Sequence, residues 1–79
     1  MARLRQIMSE AASLQSEMLK QSTWVGPKFA EEARAIHYGE TESRAIHGEV
    51  DGKEAKALID EGVAVAPLPF PVVPPKQQN

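Results

Sequence analysis

Residues 29–49 read FAEEARAIHYGETESRAIHGE, and this stretch decides the fold that the sequence predicts. It holds both histidines of the chain in two similar runs, RAIHYGE at 34–40 and RAIHGE at 44–49. The first run is expected to end a helix, because Gly39 can adopt the left-handed conformation that stops one. The second run has Ile46 and Val50 as its only clear apolar anchors, which favours an extended connector. We therefore interpret the duplication as coincidence rather than symmetry.

The residues before this stretch predict the turn of a helical hairpin. Gly26 followed by Pro27 interrupts the chain, and proline is favoured at the first position of a helix. A second helix is therefore expected over 27–38. Trp24 is expected to fill the turn, because a lone tryptophan is mostly buried in folded proteins. The alternative is that Trp24 is exposed and binds a partner.

The amino-terminal residues predict a long first helix over 2–21. No glycine or proline occurs there, and apolar residues recur at helical spacing along one stripe. Such a stripe packs onto a globular neighbour or onto a second copy of the chain. Homodimerisation is therefore expected to use Leu4, Ile7, Ala11, Leu14 and Met18.

A short third helix is predicted over 52–61, followed by an extended strap. Asp51 and Glu54 have the spacing of a capping box, and Gly62 ends the helix. Alternating prolines forbid a helix over 63–71, so that this segment is expected to lie extended across the helices. Leu68 and Phe70 are too apolar for a free tail. The alternative is that the strap is a ligand for a partner's aromatic groove.

These elements together predict one small all-α domain over residues 1–79. Its parts are the helical hairpin, the short third helix, the proline-rich strap packed on them, and a flexible tail at 72–79. A domain of this size buries only roughly 60% of the surface of its unfolded chain, so marginal stability is expected.

Composition excludes several classes of protein. The chain has 9 Lys and Arg against 11 Asp and Glu, a net charge of −2, and this balance argues against nucleic-acid binding. The apolar run 63–73 is too short and too rich in proline to cross a membrane. Residues 1–11 lack the pattern of a secretory signal, and a cytoplasmic location is expected. Without cysteine there are no disulfides or thiolate metal ligands.

The two histidines suggest a metal site only weakly. A carboxylate and imidazole cluster could bind zinc or another divalent metal. Its ligands would be His37, Glu40, His47 and Glu49. The spacing is unfavourable, because Gly39 separates the first histidine from its neighbouring acid. No serine stands in a nucleophile motif and no glycine-rich phosphate loop exists, so neither an enzyme nor a cofactor is expected.

The runs WVGPKFAEEARAIHYGE, RAIHGE, EAKALIDEG and VAVAPLPFP resemble the carboxyl-terminal region of the bacterial family called domain of unknown function 1178. The resemblance covers about residues 4–71. Family members typically carry a preceding segment with paired cysteines that resembles a zinc ribbon, which implies that this chain is a fragment of a longer one or a truncated relative. His47 stands where the family commonly has an aromatic residue, and this departure argues against a family ligand there. The family implies no reaction.

The expected role is therefore a non-catalytic interaction or accessory module. Its predicted interaction residues are Trp24, Leu68 and Phe70, apart from the stripe on the first helix. The metal site is the alternative.

Overall fold

The computed structural model describes residues 2–72 and shows three helices with a small sheet between them. In chain order the elements are α1 (Ala2–Leu19), β1 (Thr23–Gly26), α2 (Phe29–His37), β2 (Ile46–Gly48) and α3 (Gly52–Asp60). Residues 63–72 follow without a helix or strand, and all of the predicted tail at 72–79 except its first residue lies outside the described residues. The predicted all-α class is wrong, because β1 and β2 form a two-stranded parallel sheet. The chain is a small mixed α/β domain.

The sheet replaces the turn of the predicted helical hairpin. Thr23 lies opposite Ile46 and Trp24 lies opposite His47, with an irregularity between Trp24 and Gly26. Parallel strands need a crossover connection, which α2 supplies here. Trp24 and Val25 therefore belong to a strand that starts a β–α–β unit. The extended conformation expected around Ile46 is present, but its partner was not predicted.

Two glycines allow this unit to close. A Cβ atom on Gly48 would collide with the carbonyl oxygen of Gly26 and would lie 2.9 Å from the Cβ atom of Phe29. Gly26 itself has φ of 55°, a conformation that favours glycine. The absence of side chains at these positions brings β2, the end of β1 and the start of α2 into direct contact.

The core lies where α2, α3 and the residues after α3 meet. Leu58 is completely buried, while Ala33 and Val63 are 7% and 6% exposed. Partly buried side chains packed against these three come from α2, β2 and the extended segment: Phe29, Ala30, Ile46 and Val65. None of these core residues comes from α1, so the first helix lies outside this core.

The helix ends follow local sequence signals. The side chain of Asp51 accepts a hydrogen bond from the Glu54 amide at 2.7 Å, so the predicted cap of α3 is present. Gly39 and Gly62 have φ of 75° and 86°, as expected for residues that stop helices. The second helix begins at Phe29 rather than at Pro27, since residues 27 and 28 form a turn.

A single side chain fastens α1 to the extended segment. Gln15 is the one buried residue of α1, and its amide donates to the Phe70 carbonyl at 2.9 Å and accepts from the Phe70 amide at 3.3 Å. This pair of bonds satisfies both sides of the Gln15 amide, as burial requires. We call this contact the Gln15 clamp.

Candidate functional site

The first candidate surface is the apolar face of α1. Its five large side chains are between 51% and 65% exposed: Leu4, Ile7, Met8, Leu14 and Met18. A contiguous exposed apolar patch on a small protein marks an interaction surface more often than a structural accident. We call this surface the α1 face.

The second candidate surface is a groove of about 900 Å³ that runs along β2. Residues 46–50 and residues 64–68 line it, together with Pro71 and Val72. Further lining comes from α1, α2, α3 and β1: Leu19, Trp24, Phe29, Ala55 and Ile59. We call this surface the β2 groove. It contains Trp24 and Leu68, two of the three predicted interaction residues, whereas Phe70 is half-buried and held by the Gln15 clamp.

The imidazole of His47 has a defined orientation at the wall of this groove. The Ser22 hydroxyl and His47 Nδ1 are 2.8 Å apart, and the rings of Trp24 and His47 meet edge to face with centroids 5.6 Å apart. Within residues 2–72, no carboxylate is hydrogen-bonded to this ring. The arrangement orients the imidazole without supplying the acid that completes a nucleophilic triad.

The predicted metal ligands are not gathered into a cluster. His37 is exposed at the end of α2 beside Tyr38, with ring centroids 4.7 Å apart, whereas His47 lies in β2. In the described part of the chain, no group of three or more histidine, aspartate and glutamate side chains is placed to hold a metal ion. The placement therefore gives no support to a site built from His37, Glu40, His47 and Glu49.

A charged cluster joins α2 to the end of α3. Arg34 Nε lies 2.9 Å and 3.0 Å from the two carboxylate oxygens of Glu61, Nη2 donates to the same carboxylate at 2.7 Å, and Nη1 donates to Glu54. The Tyr38 hydroxyl also donates to Glu61, at 3.1 Å. Arg34 reaches Glu54 and Glu61 because the crossover of α2 places α2 beside α3.

The cluster shifts the pKa values of its members. Hydrogen bonds from Arg34 lower the pKa of Glu61, and the hydrogen bond to Glu61 raises the pKa of Tyr38. Hydrogen bonds to Glu61 and then Glu54 raise the pKa of Arg34. Folding therefore favours ionised Glu61, a neutral Tyr38 phenol and charged Arg34.

Acid is expected to weaken the fold through Glu61. Because the pKa of Glu61 is lowered on folding, its contribution is present above the ordinary pKa of glutamate and is lost as pH falls through the folded value. We expect the urea midpoint to fall as the pH drops below the ordinary glutamate pKa of about 4.3. Glu61→Gln should reduce this fall, whereas Asp60→Asn, which removes an exposed pair with Lys56, should preserve it. Equal pH dependence in both variants would contradict the assignment.

The contacts Ser22–His47 and Gln15–Phe70 had no signal in the sequence pattern. Ser22 and Gln15 look like ordinary polar residues at the end and on the flank of α1, and their partners lie 25 and 55 residues away.

Comparison with known proteins identifies a family whose function is unknown. A family model described as "Protein of unknown function (DUF1178)" matches residues 1–73, slightly beyond the expected 4–71. No curated protein and no solved structure matches the chain. Among the described residues, no helix has both the length and the apolar character that crossing a membrane requires.

Proposed function

We propose that the chain, which belongs to the DUF1178 family of proteins of unknown function, acts as a non-catalytic interaction module that self-associates through the α1 face. The observation that carries this proposal is the exposure of all five large side chains of that face. Burial of such a stripe against a matching helix removes apolar surface from water at both copies. The module needs no cofactor.

The charges along α1 favour a second copy in antiparallel orientation. Arg3 and Arg5 lie near the amino end of the helix, whereas Glu10 and Glu17 lie further along it. An antiparallel pair brings the basic end of each copy towards the acidic half of the other, and a parallel pair would place like charges together. Glu17 also pairs with Lys20 at 2.9 Å. An exposed ion pair of this kind contributes little to stability, so Glu17 can pair with a basic side chain of the second copy instead.

Sedimentation tests this function. We expect the wild-type chain to show a concentration-dependent dimer at micromolar concentration, and Leu14→Ser to shift the equilibrium strongly towards monomer. Leu14 is already 63% exposed, so its replacement should leave the fold intact, as circular dichroism would show. Ser13→Asp, next to it but outside the α1 face, is the matched control and should still dimerise. A wild-type chain that stays monomeric at all concentrations would refute self-association.

A cytoplasmic location is part of the proposal. Cell fractionation with an antibody against the chain would test it, and recovery in the membrane or secreted fraction would contradict it.

A further inference from the structure

The outer edge of β2 has peptide groups available for a further strand. The Ala45 carbonyl accepts from the Thr23 amide at 3.0 Å, and the Glu49 amide donates to the Gly26 carbonyl at 2.9 Å. Bonding direction alternates along a strand, so the peptide groups of Ile46 and Gly48 point away from β1. In the described part of the chain these outward groups have no backbone partner.

The β2 groove lies along this edge. Side chains from both faces of the sheet line it: Trp24 and His47, which face each other across the strands, and Phe29, which packs near Gly48 on the other face. A groove lined from both faces lies at the edge of the sheet rather than on one of its surfaces. That is the position that a third strand would occupy, with side chains alternating between the two faces.

The extended segment after α3, which also lines the groove, does not occupy the place of a third strand. It runs beside β2 over residues 64–68, yet within residues 2–72 it makes no backbone hydrogen bond to β2. Its prolines lack the donors that strand pairing needs.

We propose that the β2 groove binds an extended apolar peptide of a partner protein, which pairs with the peptide groups of Ile46 and Gly48 as a third strand. Main-chain hydrogen bonds would supply affinity, and the apolar walls would select alternating apolar side chains. Glu49 lines the groove at the end of β2 and has no ion-pair partner among the described residues. The occupant therefore carries a Lys or Arg where it passes Glu49, and a peptide lacking this cation should bind more weakly.

The probe is the synthetic peptide acetyl-Lys-Val-Thr-Val-Thr-Val-Lys-amide, titrated into the full chain and followed by amide NMR. We expect slower hydrogen exchange at the amides of Ile46 and Gly48 and little change at His47, whose amide faces β1. Two N-methylated versions provide the decisive comparison. One blocks the donors on one edge of the peptide, the other blocks those on the opposite edge, and for a given strand direction only one edge faces β2. We expect one version to bind at least about tenfold more weakly than the other.

Protein variants distinguish peptide binding in the β2 groove from self-association through the α1 face. Ile59 is 60% exposed and lines the groove, so Ile59→Ser should keep the fold and weaken peptide binding. Leu14→Ser should bind the peptide as the wild-type chain does. Equal binding of both N-methylated peptides would mean that the peptide binds by apolar contacts alone, without pairing to β2, and would overturn the proposal. Concentration-dependent protection of Ile46 and Gly48 in Leu14→Ser without peptide would also overturn it, because a second copy would then occupy the edge.

Discussion

Replacement of Leu58 by alanine is expected to lower the free energy of unfolding by about 2–5 kcal/mol. Leu58 is the single large side chain that is completely buried among the described residues, and it lies where α2, α3 and Val63 meet. Truncation removes its burial and leaves a cavity that helices fixed by the sheet cannot fully close. A small domain has a total stability near the lower end of roughly 5–15 kcal/mol, so the Leu58→Ala chain should be marginally stable, and about half unfolded at room temperature if the loss reaches the upper end of its range.

Urea denaturation followed by circular dichroism measures this effect. Ile59 is the matched control, because it occupies the next position of the same helix but is 60% exposed. Ile59→Ala should change the free energy of unfolding by less than about 1 kcal/mol. Leu58→Met, which nearly conserves volume, should cost under about 1.5 kcal/mol and remain folded. Similar losses in Leu58→Ala and Ile59→Ala would mean that the core lies elsewhere.

Replacement of Gly48 by alanine is expected to disrupt the parallel sheet. The new Cβ atom would collide with the Gly26 carbonyl and approach the Phe29 Cβ atom to 2.9 Å. Neither neighbour is the flexible end of a side chain, so β2 must move away from β1. Overpacking of this kind costs about 1–3 kcal/mol or more.

Trp24, the chain's one tryptophan, reports on the sheet directly because it lies opposite His47 in β1. We expect its emission to shift to longer wavelength in Gly48→Ala, together with a lower urea midpoint. Gly52→Ala is the control. A Cβ atom at Gly52 meets nothing within 4 Å, and Gly52 is the first residue of α3, so alanine there should not lower the stability. Unchanged stability and emission in Gly48→Ala would show that the strands do not approach as closely as the structure has them.

The helices were predictable from the sequence because their signals are local. The apolar spacing in α1, the cap at Asp51 and the helix-stopping Gly39 each depend on residues within a few positions of one another. The same spacing singled out Leu4, Ile7, Leu14 and Met18, four of the five residues of the α1 face. Its pairing with a second copy stays a prediction.

The sheet was missed because its signals are not local. β1 has four residues and β2 has three, too few for an alternating pattern to be recognised. Their pairing depends on a crossover that places Thr23 beside Ile46. Once the strands pair, α2 lies beside α3, which is why Arg34 meets Glu61. The β2 groove depends on the same pairing and was equally hidden, although Trp24 and Leu68 were singled out for their apolar character.

The Gln15 clamp has a consequence for the order of events during protein synthesis. Its two residues are separated by 55 positions, so that Phe70 leaves the ribosome long after Gln15. At a synthesis rate of about 5–20 residues per second, the delay is roughly 3–11 s. Throughout that interval α1 has emerged with its apolar stripe uncovered and the Gln15 clamp not yet formed. The nascent first helix is therefore exposed to chaperones and to neighbouring nascent chains before its own domain can restrain it.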